Sequence, residues 1–304
     1  MVNTSLVTVG ARQSQLSIKQ TNEVLNLLKV KFPGCDFQYK PIKTKGDIYK
    51  NDLMVSLGRG MFVNEIQSEL SKGHIDIAVH SAKDLTIDIP EDLIIAAYTE
   101  RLDARDVFIS SCSNKNIEDL PLGSIIGTSS PRRKIQLESN YSNIEIHPIR
   151  GNVETRIQKI TTEEYDGVIL AAAGLIRLGL EHLISEYIAI EICIPDVGQG
   201  ALAIQCRKDD IRILNMLKSI NHQQTNELLR SERAFVNYIG GGCVTPIAAY
   251  ASIKNENINI YAMGTDSGIN KIFRTNVKGY RGNPEEIGYE AANNLLKSGA
   301  FRFI

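Results

Sequence analysis

The run Ser124-Ile125-Ile126-Gly127-Thr128-Ser129-Ser130-Pro131-Arg132-Arg133 changes from one kind of structure to another in its middle. Ser124 to Gly127 reads as the end of a short strand. Thr128-Ser129-Ser130-Pro131 then opens a helix: Ser130 has an N-cap side chain, and Pro131 suits the first turn, where its missing N–H does no harm. The same grammar recurs downstream. Ile144 to Pro148 is strand-like and is followed by Arg150-Gly151-Asn152 and a helix through Val153, Ile157 and Ile160. Gly167 to Leu170 is a third strand, leading through an Ala-rich turn into Leu175-Ile176-Arg177-Leu178.

Upstream, Leu6 to Val9 is a β-branched run, and a helical stripe through Leu16, Val24 and Leu28 follows, stopping at Phe32-Pro33-Gly34. Phe37 to Ile42 is strand-like and Phe62 to Leu70 helical. Ile75-Asp76-Ile77-Ala78-Val79 alternates at strand period and runs into His80-Ser81-Ala82-Lys83-Asp84. Gly46 to Gly60 has weak periodicity and three glycines, and reads as a mobile loop or a merely exposed connection. Strand–loop–helix alternation predicts an α/β fold with mostly parallel sheets and ligand loops at the carboxyl ends of the strands. The C-terminal part differs. A helix with Leu228, Leu229, Ala234 and Phe235 ends at Gly240-Gly241-Gly242-Cys243. Three strand-like runs (Ile247 to Ile253, Ile258 to Met263, Ile272 to Val277) and an amphipathic helix from Pro284 to Leu296 follow. This predicts a small α+β domain with an antiparallel sheet.

The 304 residues suffice for two or three domains, and 43% hydrophobic with 23% charged residues is ordinary for a globular chain. A net charge of −1, no Trp and no long Lys/Arg run argue against nucleic acid as partner. No basic segment followed by an apolar one opens the chain, and no stretch approaches bilayer-spanning length, so neither secretion nor a membrane is expected. Five scattered cysteines (Cys35, Cys112, Cys193, Cys206, Cys243) without C-x-x-C spacing fit a reducing cytoplasm and no metal site.

Three features could carry chemistry. The first is arginine placement. Arg132 and Arg133 fall in a helix's first turn, where the macrodipole disfavours cations. Arg150 sits at a strand-to-helix turn, Arg156 on the helix beyond it, and Arg12 just after the first strand. Each taken singly reads as a solvated or salt-bridged arginine; as a set they suit a ligand with several carboxylates or phosphates, onto which guanidinium groups fork. Asp84 is second. It follows a buried strand beside Lys83, where a carboxylate can steady a cationic intermediate or simply cap a turn. The third is Cys243: three glycines before it leave its thiol accessible, and the five histidines make no Cys/His signature with it. No G-x-G-x-x-G or Walker A run supports a nucleotide site.

Six stretches in register resemble the porphobilinogen deaminase family over nearly the whole chain. They are Val9-Gly10-Ala11-Arg12-Gln13-Ser14-Gln15-Leu16, His80-Ser81-Ala82-Lys83-Asp84, Ile126 to Arg133, Arg150-Gly151-Asn152-Val153-Glu154-Thr155-Arg156, Val197-Gly198-Gln199-Gly200-Ala201-Leu202 and Gly240-Gly241-Gly242-Cys243. The family commonly shows Pro where Thr86 stands, Leu where Pro131 stands, Lys where Arg59 stands and Glu where Gln205 stands. It also differs over Val244-Thr245-Pro246.

The resemblance implies an α/β fold of two type II periplasmic-binding-protein-like domains with a third, smaller α+β domain. Domain 1 would be 1–99 plus 200–217, domain 2 would be 100–199 and domain 3 would be 218–304. It implies a transferase that joins four porphobilinogen molecules into hydroxymethylbilane with release of ammonia, in haem biosynthesis. A dipyrromethane cofactor would hang by a thioether from Cys243. By the same resemblance Asp84 is catalytic, stabilising the azafulvene cation left by loss of ammonia. Ser81, Lys83, Thr128, Ser130, Arg132, Arg133 and Gln199 hold the cofactor, and Arg12, Ser14, Phe62, Arg150, Arg156 and Arg177 contact the substrate chain. A cytoplasmic monomer is implied. Two other readings stay open on the residues alone: a cytoplasmic bilobal carboxylate-binding sensor without catalysis, and a cysteine-dependent enzyme acting on an acidic substrate.

Overall fold

Gly10 lies so close to its neighbours that a Cβ there would meet Ile42 Cδ1 at 2.8 Å, and that closeness marks the first of three sheets in the computed structural model. Residues 6–44, 63–112, 115–162, 165–240, 246–266 and 271–301 are described. Phe62, Cys243 and the Gly46 to Gly60 stretch fall outside them.

The chain divides into two units, 1–101 with 201–227, and 102–200 with 228–304. The first holds a five-stranded sheet in the order Asp36–Ile42, Leu6–Arg12, Ile77–Ser81, Leu202–Arg207, Leu93–Tyr98. Leu202–Arg207 runs antiparallel to both neighbours, and the other pairs are parallel. Val7, Val9 and Ala11 alternate onto one face, where they pack with Val24 and Leu28 of the helix Gln15–Lys31. Ile42, Ile66, Leu70, Ile75, Ala78 and Leu93 fill a second cluster. Removing a side chain such as Val7 or Leu28 from water contributes about 1.5–3 kcal/mol. The helix Gln15–Lys31 begins where Ser14 Oγ accepts from Ser17 N at 3.2 Å. It ends at Phe32, whose position before Pro33 disfavours helical backbone.

The second unit contains a five-stranded sheet ordered Ile144–His147, Ser124–Gly127, Gly167–Ala171, Asp106–Ser110, Glu186–Tyr187. Its antiparallel member is Asp106–Ser110, the first strand in sequence. In the first sheet the corresponding place is taken by the last strand. The two sheets are therefore copies of one topology, as expected for paired halves of the type II periplasmic-binding-protein kind. Four strands, Leu93–Tyr98, Asp106–Ser110, Glu186–Tyr187 and Leu202–Arg207, are not singled out by periodicity. Leu202-Ala203-Ile204-Gln205-Cys206 is buried at every position, and a strand covered on both faces shows no alternation. The expected mostly parallel sheets are thus each interrupted by one reversed strand.

Within the same unit the C-terminal strands Ala248–Lys254, Asn257–Asp266 and Lys271–Tyr280 form an antiparallel sheet, with the helix Pro284–Ser298 packed on it. Ala248 and Met263 cluster with Ile194. The buried Glu232 carboxylate accepts from Gly198 N and from Ala251 N, both at 2.8 Å. Arg274 donates to the carbonyls of Glu191 and Ile192. These contacts bind the small sheet to the 102–200 segment. Among the described residues no helix is long and apolar enough to cross a membrane.

Candidate functional site

Parallel pairing puts functional side chains at one edge of each sheet. In the first unit Val9 pairs with Ile77 and Gly10 with Ala78, so Arg12 and Ser81 both end their strands at the same carboxyl edge. Beyond them Ser14 caps the first helix, and Ala82–Asp84 forms a single 3-10 turn. Ser81 Oγ accepts from Gln20 Nε2 at 2.8 Å, and Ala82 N donates to Ala201 O at 3.0 Å, which fixes the root of the turn. Lys83 and Asp84 are half-buried on it.

In the second unit the strands Ser124–Gly127, Ile144–His147 and Gly167–Ala171 are parallel, and the reversed strand starts at their carboxyl edge with Asp106 opposite Ala171. Thr128, Ser130, Arg132, Arg133, Arg150 and Arg177 all follow these strand ends. Thr128 is tied by its N–H to His147 O at 2.9 Å, and its Oγ1 accepts from Ser130 N. Ser130 is the N-cap, accepting from Arg133 N, with Pro131 in the first turn. Gly151 has φ of 121°, which glycine adopts without strain, and a Cβ there would strike Thr155. Its carbonyl accepts from Arg156 Nε at 2.8 Å. Arg177 Nη2 donates to Gly200 O at 3.2 Å.

Arg132 and Arg133 both meet an internal anion at the helix start. Asp106, with no exposed surface, receives Arg132 Nη1 on Oδ2 at 2.8 Å. Its Oδ1 takes Arg133 Nε at 3.1 Å and Nη2 at 2.7 Å. Gln199 Nε2 reaches the same oxygen at 2.8 Å and Ala104 O at 2.7 Å. Cys193 Sγ, 3.3 Å from Oδ2, completes the set. Burial alone would raise the Asp106 carboxyl, but the charges of Arg132 and Arg133 more than reverse this and hold it well below the usual carboxylate range. Burial first, and then the charge of Arg133, pull Arg156 down to about 10.

Sequence reasoning missed Asp106, Gln136 and Glu232. The available signal was an acid heading the apolar run Asp106-Val107-Phe108-Ile109, which is expensive to bury without cationic partners. The structure brings together Thr128, Ser130, Arg132, Arg133 and Gln199 through hydrogen bonds or short links, with Arg156 acting electrostatically on Arg133. Arg12, Ser14, Ser81, Lys83 and Asp84 lie at or just beyond the carboxyl edge of the first unit's sheet.

Two family models match in order. The first, described as "Porphobilinogen deaminase, dipyromethane cofactor binding domain", covers residues 7–215, and the second, "Porphobilinogen deaminase, C-terminal domain", covers residues 227–297. The chain belongs to the porphobilinogen deaminase family. The porphobilinogen deaminase of Geobacillus kaustophilus is 43% identical over 296 residues, covering 97% of this chain and 95% of that protein. The porphobilinogen deaminase of Alkaliphilus metalliredigens is 42% identical over 295 residues, covering 97% and 93%. Among solved structures, the L-cystine solute receptor of Neisseria gonorrhoeae is similar at a TM-score of 0.41 and 11% identity, covering 76% of this chain and 92% of that one. That likeness is too slight to bear on fold or function.

The porphobilinogen deaminase cofactor is an acidic dipyrromethane, and the residues of the second unit fit such a group. Arg132 and Arg133 converge on Asp106, and Arg156 feels the charge of Arg133. Arg132 Nε is buried with no hydrogen-bond partner among the described residues, a donor suited to one more acceptor. Cys243, the expected attachment residue, lies outside the described residues.

Proposed function

We propose that this chain is a porphobilinogen deaminase, a transferase that joins four porphobilinogen molecules head to tail into hydroxymethylbilane and releases ammonia. One observation carries the reading. The family's cofactor-binding domain matches residues 7–215, the span whose two sheets present Asp84 on one carboxyl edge and the Arg132–Arg133 pair on the other. In this reading bound dipyrromethane supplies the pyrrole end to which each new ring is added.

The remaining work falls to side chains of the chain. Arg132, Arg133, Gln199, Thr128, Ser130, Ser81 and Lys83 hold the cofactor's acidic arms and ring N–H groups, with Cys243 as its thioether anchor. Guanidinium groups hold carboxylates with short charge-assisted bonds, which suits a product gaining carboxylates with every ring. Arg12, Ser14, Phe62, Arg150, Arg156 and Arg177 orient the incoming acetate and propionate groups. The Asp84 carboxylate accepts a pyrrole N–H and opposes the positive charge that develops as ammonia leaves. The chain works as three domains (1–99 with 200–217, 100–199, and 218–304) in a cytoplasmic monomer serving haem biosynthesis.

Intact mass and substrate consumption test this directly. Freshly purified protein is expected to weigh more than its polypeptide by two pyrrole units, with the excess absent from Cys243→Ser, and to consume porphobilinogen. A bare polypeptide mass with porphobilinogen untouched would overturn the proposal and favour a carboxylate-binding sensor.

A further inference from the structure

Asp106 carries no motif, yet among the described residues five hydrogen bonds converge on its carboxylate: three on Oδ1, from Arg133 Nε, Arg133 Nη2 and Gln199 Nε2, and two on Oδ2, from Arg132 Nη1 and Cys193 Sγ. Two adjacent arginines at the start of a helix repel each other and the positive end of the helix dipole. An anion between them removes both penalties. Backbone carbonyls hold each guanidinium as well. Arg132 Nη1 also donates to Ile194 O at 2.7 Å and Arg133 Nη1 to Ile169 O at 2.8 Å. Gln136, one turn beyond Arg132, pins Ile194 from both sides: its Nε2 donates to the Ile194 carbonyl at 3.2 Å and its Oε1 accepts from Ile194 N at 2.8 Å. All of these contacts are made by the polypeptide itself.

We propose that Asp106 is a positioning residue that sets Arg132, Arg133 and Gln199 in their holding arrangement before the dipyrromethane is attached. The proposal deepens the reading of those three residues as cofactor contacts and rests on it. Its physical content is preorganisation. The entropy lost in ordering two long side chains falls on folding, so capture of the acidic group no longer bears it. Asp106 thus acts through its partners without touching the cofactor.

The first arm of the test uses the full chain with Cys243→Ser, which cannot hold a thioether. Arginine side-chain NMR, with Arg132→Lys and Arg133→Lys for assignment, should show a slowly exchanging Nη–H for Arg132 and a slowly exchanging Nε–H for Arg133, the groups that Asp106 holds. Free arginine in the same buffer provides the fast-exchanging reference. Exchange at Arg132 and Arg133 as fast as in free arginine would overturn the proposal. The second arm is Asp106→Asn, of nearly the same size. Checked as folded by circular dichroism, it should carry the cofactor mass in at least about tenfold fewer chains than wild type. Normal loading at a merely lower melting temperature would reduce Asp106 to a structural residue and sink the idea. Should Asp106→Asn not fold, the NMR arm decides. If wild type itself carries no added mass, the cofactor reading has failed, while the NMR arm still tests the ordering of the arginines.

Discussion

Cys193 Sγ lies 3.3 Å from Asp106 Oδ2, near enough to donate its S–H to the carboxylate. That contact makes this cysteine a donor rather than a nucleophile. Burial first, and the negative Asp106 next, push its thiol up to about 12, against the opposing charges of Arg132 and Arg133. Burial likewise takes Cys206 to about 11. Native protein treated with an aromatic disulfide at about pH 8 should therefore be modified at exposed Cys112, with Cys193 and Cys206 reacting only in denaturant. Mass analysis of tryptic peptides checks this, and rapid native labelling of Cys193 would contradict it.

His80 sets a pH dependence. Burial, the larger cause, lowers its pKa from 6.5 to about 4, although a hydrogen bond with Gln205 acts in the other direction. The folded chain binds this proton more weakly than the unfolded one, so the associated stability is complete above about pH 6.5 and disappears as pH falls through about 4. The difference corresponds to about 3 kcal/mol. Asp106, also depressed on folding, acts in a lower window, its contribution complete above about pH 4 and lost below that. Denaturant unfolding at about pH 7 and about pH 4.5 should show wild type losing more stability than His80→Gln over the interval. Parallel losses would refute the assignment.

Gly288 brings the helices Pro284–Ser298 and Gln223–Ile239 together. A Cβ at this position would run into Ser231 O and come within 2.8 Å of Phe235 N and 2.9 Å of Ala234 Cβ. Two of the three are backbone atoms and cannot rotate away. Gly288→Ala should cost about 1–3 kcal/mol, seen as a lowered melting temperature. An unchanged midpoint would mean that the helices part easily.

Asp84 and Arg150 should separate kinetically. Asp84→Asn is expected to retain cofactor mass while kcat falls by about 100-fold or more, as for loss of a group that opposes developing charge. Arg150→Leu should raise KM by about tenfold, the value of one charge-assisted hydrogen bond, at unchanged loading. Steady-state rates with intact mass measured on the same samples decide both. Near-normal kcat in Asp84→Asn, or unchanged KM in Arg150→Leu, would remove that residue from its role.

Local chemistry made much of this legible. Ser130 before Pro131 and Phe32 before Pro33 declare helix ends in their own immediate sequence, and the structure has both. The loops bearing Asp84 and the arginines follow from strand–helix alternation. Asp106 was not legible, because its meaning lies in residues far along the chain: Arg132 is 26 positions away and Gln199 is 93. The same holds for Leu202–Arg207, whose burial on both faces erases the alternation that marks a strand. Cys193 is buried, and its hydrogen bond to Asp106 depends on a strand that periodicity does not reveal.

The placement of Leu202–Arg207 between Ile77–Ser81 and Leu93–Tyr98 has a consequence for synthesis on the ribosome. Every strand of the middle sheet lies between Asp106 and Tyr187, so that sheet can close while the first still has a gap. Until residue 207 emerges, two neighbouring apolar strands present unpaired edges to whatever is nearby, the condition in which nascent chains aggregate. The sheet begun first closes only after the second is complete, and a chaperone's greatest service to it falls in that interval.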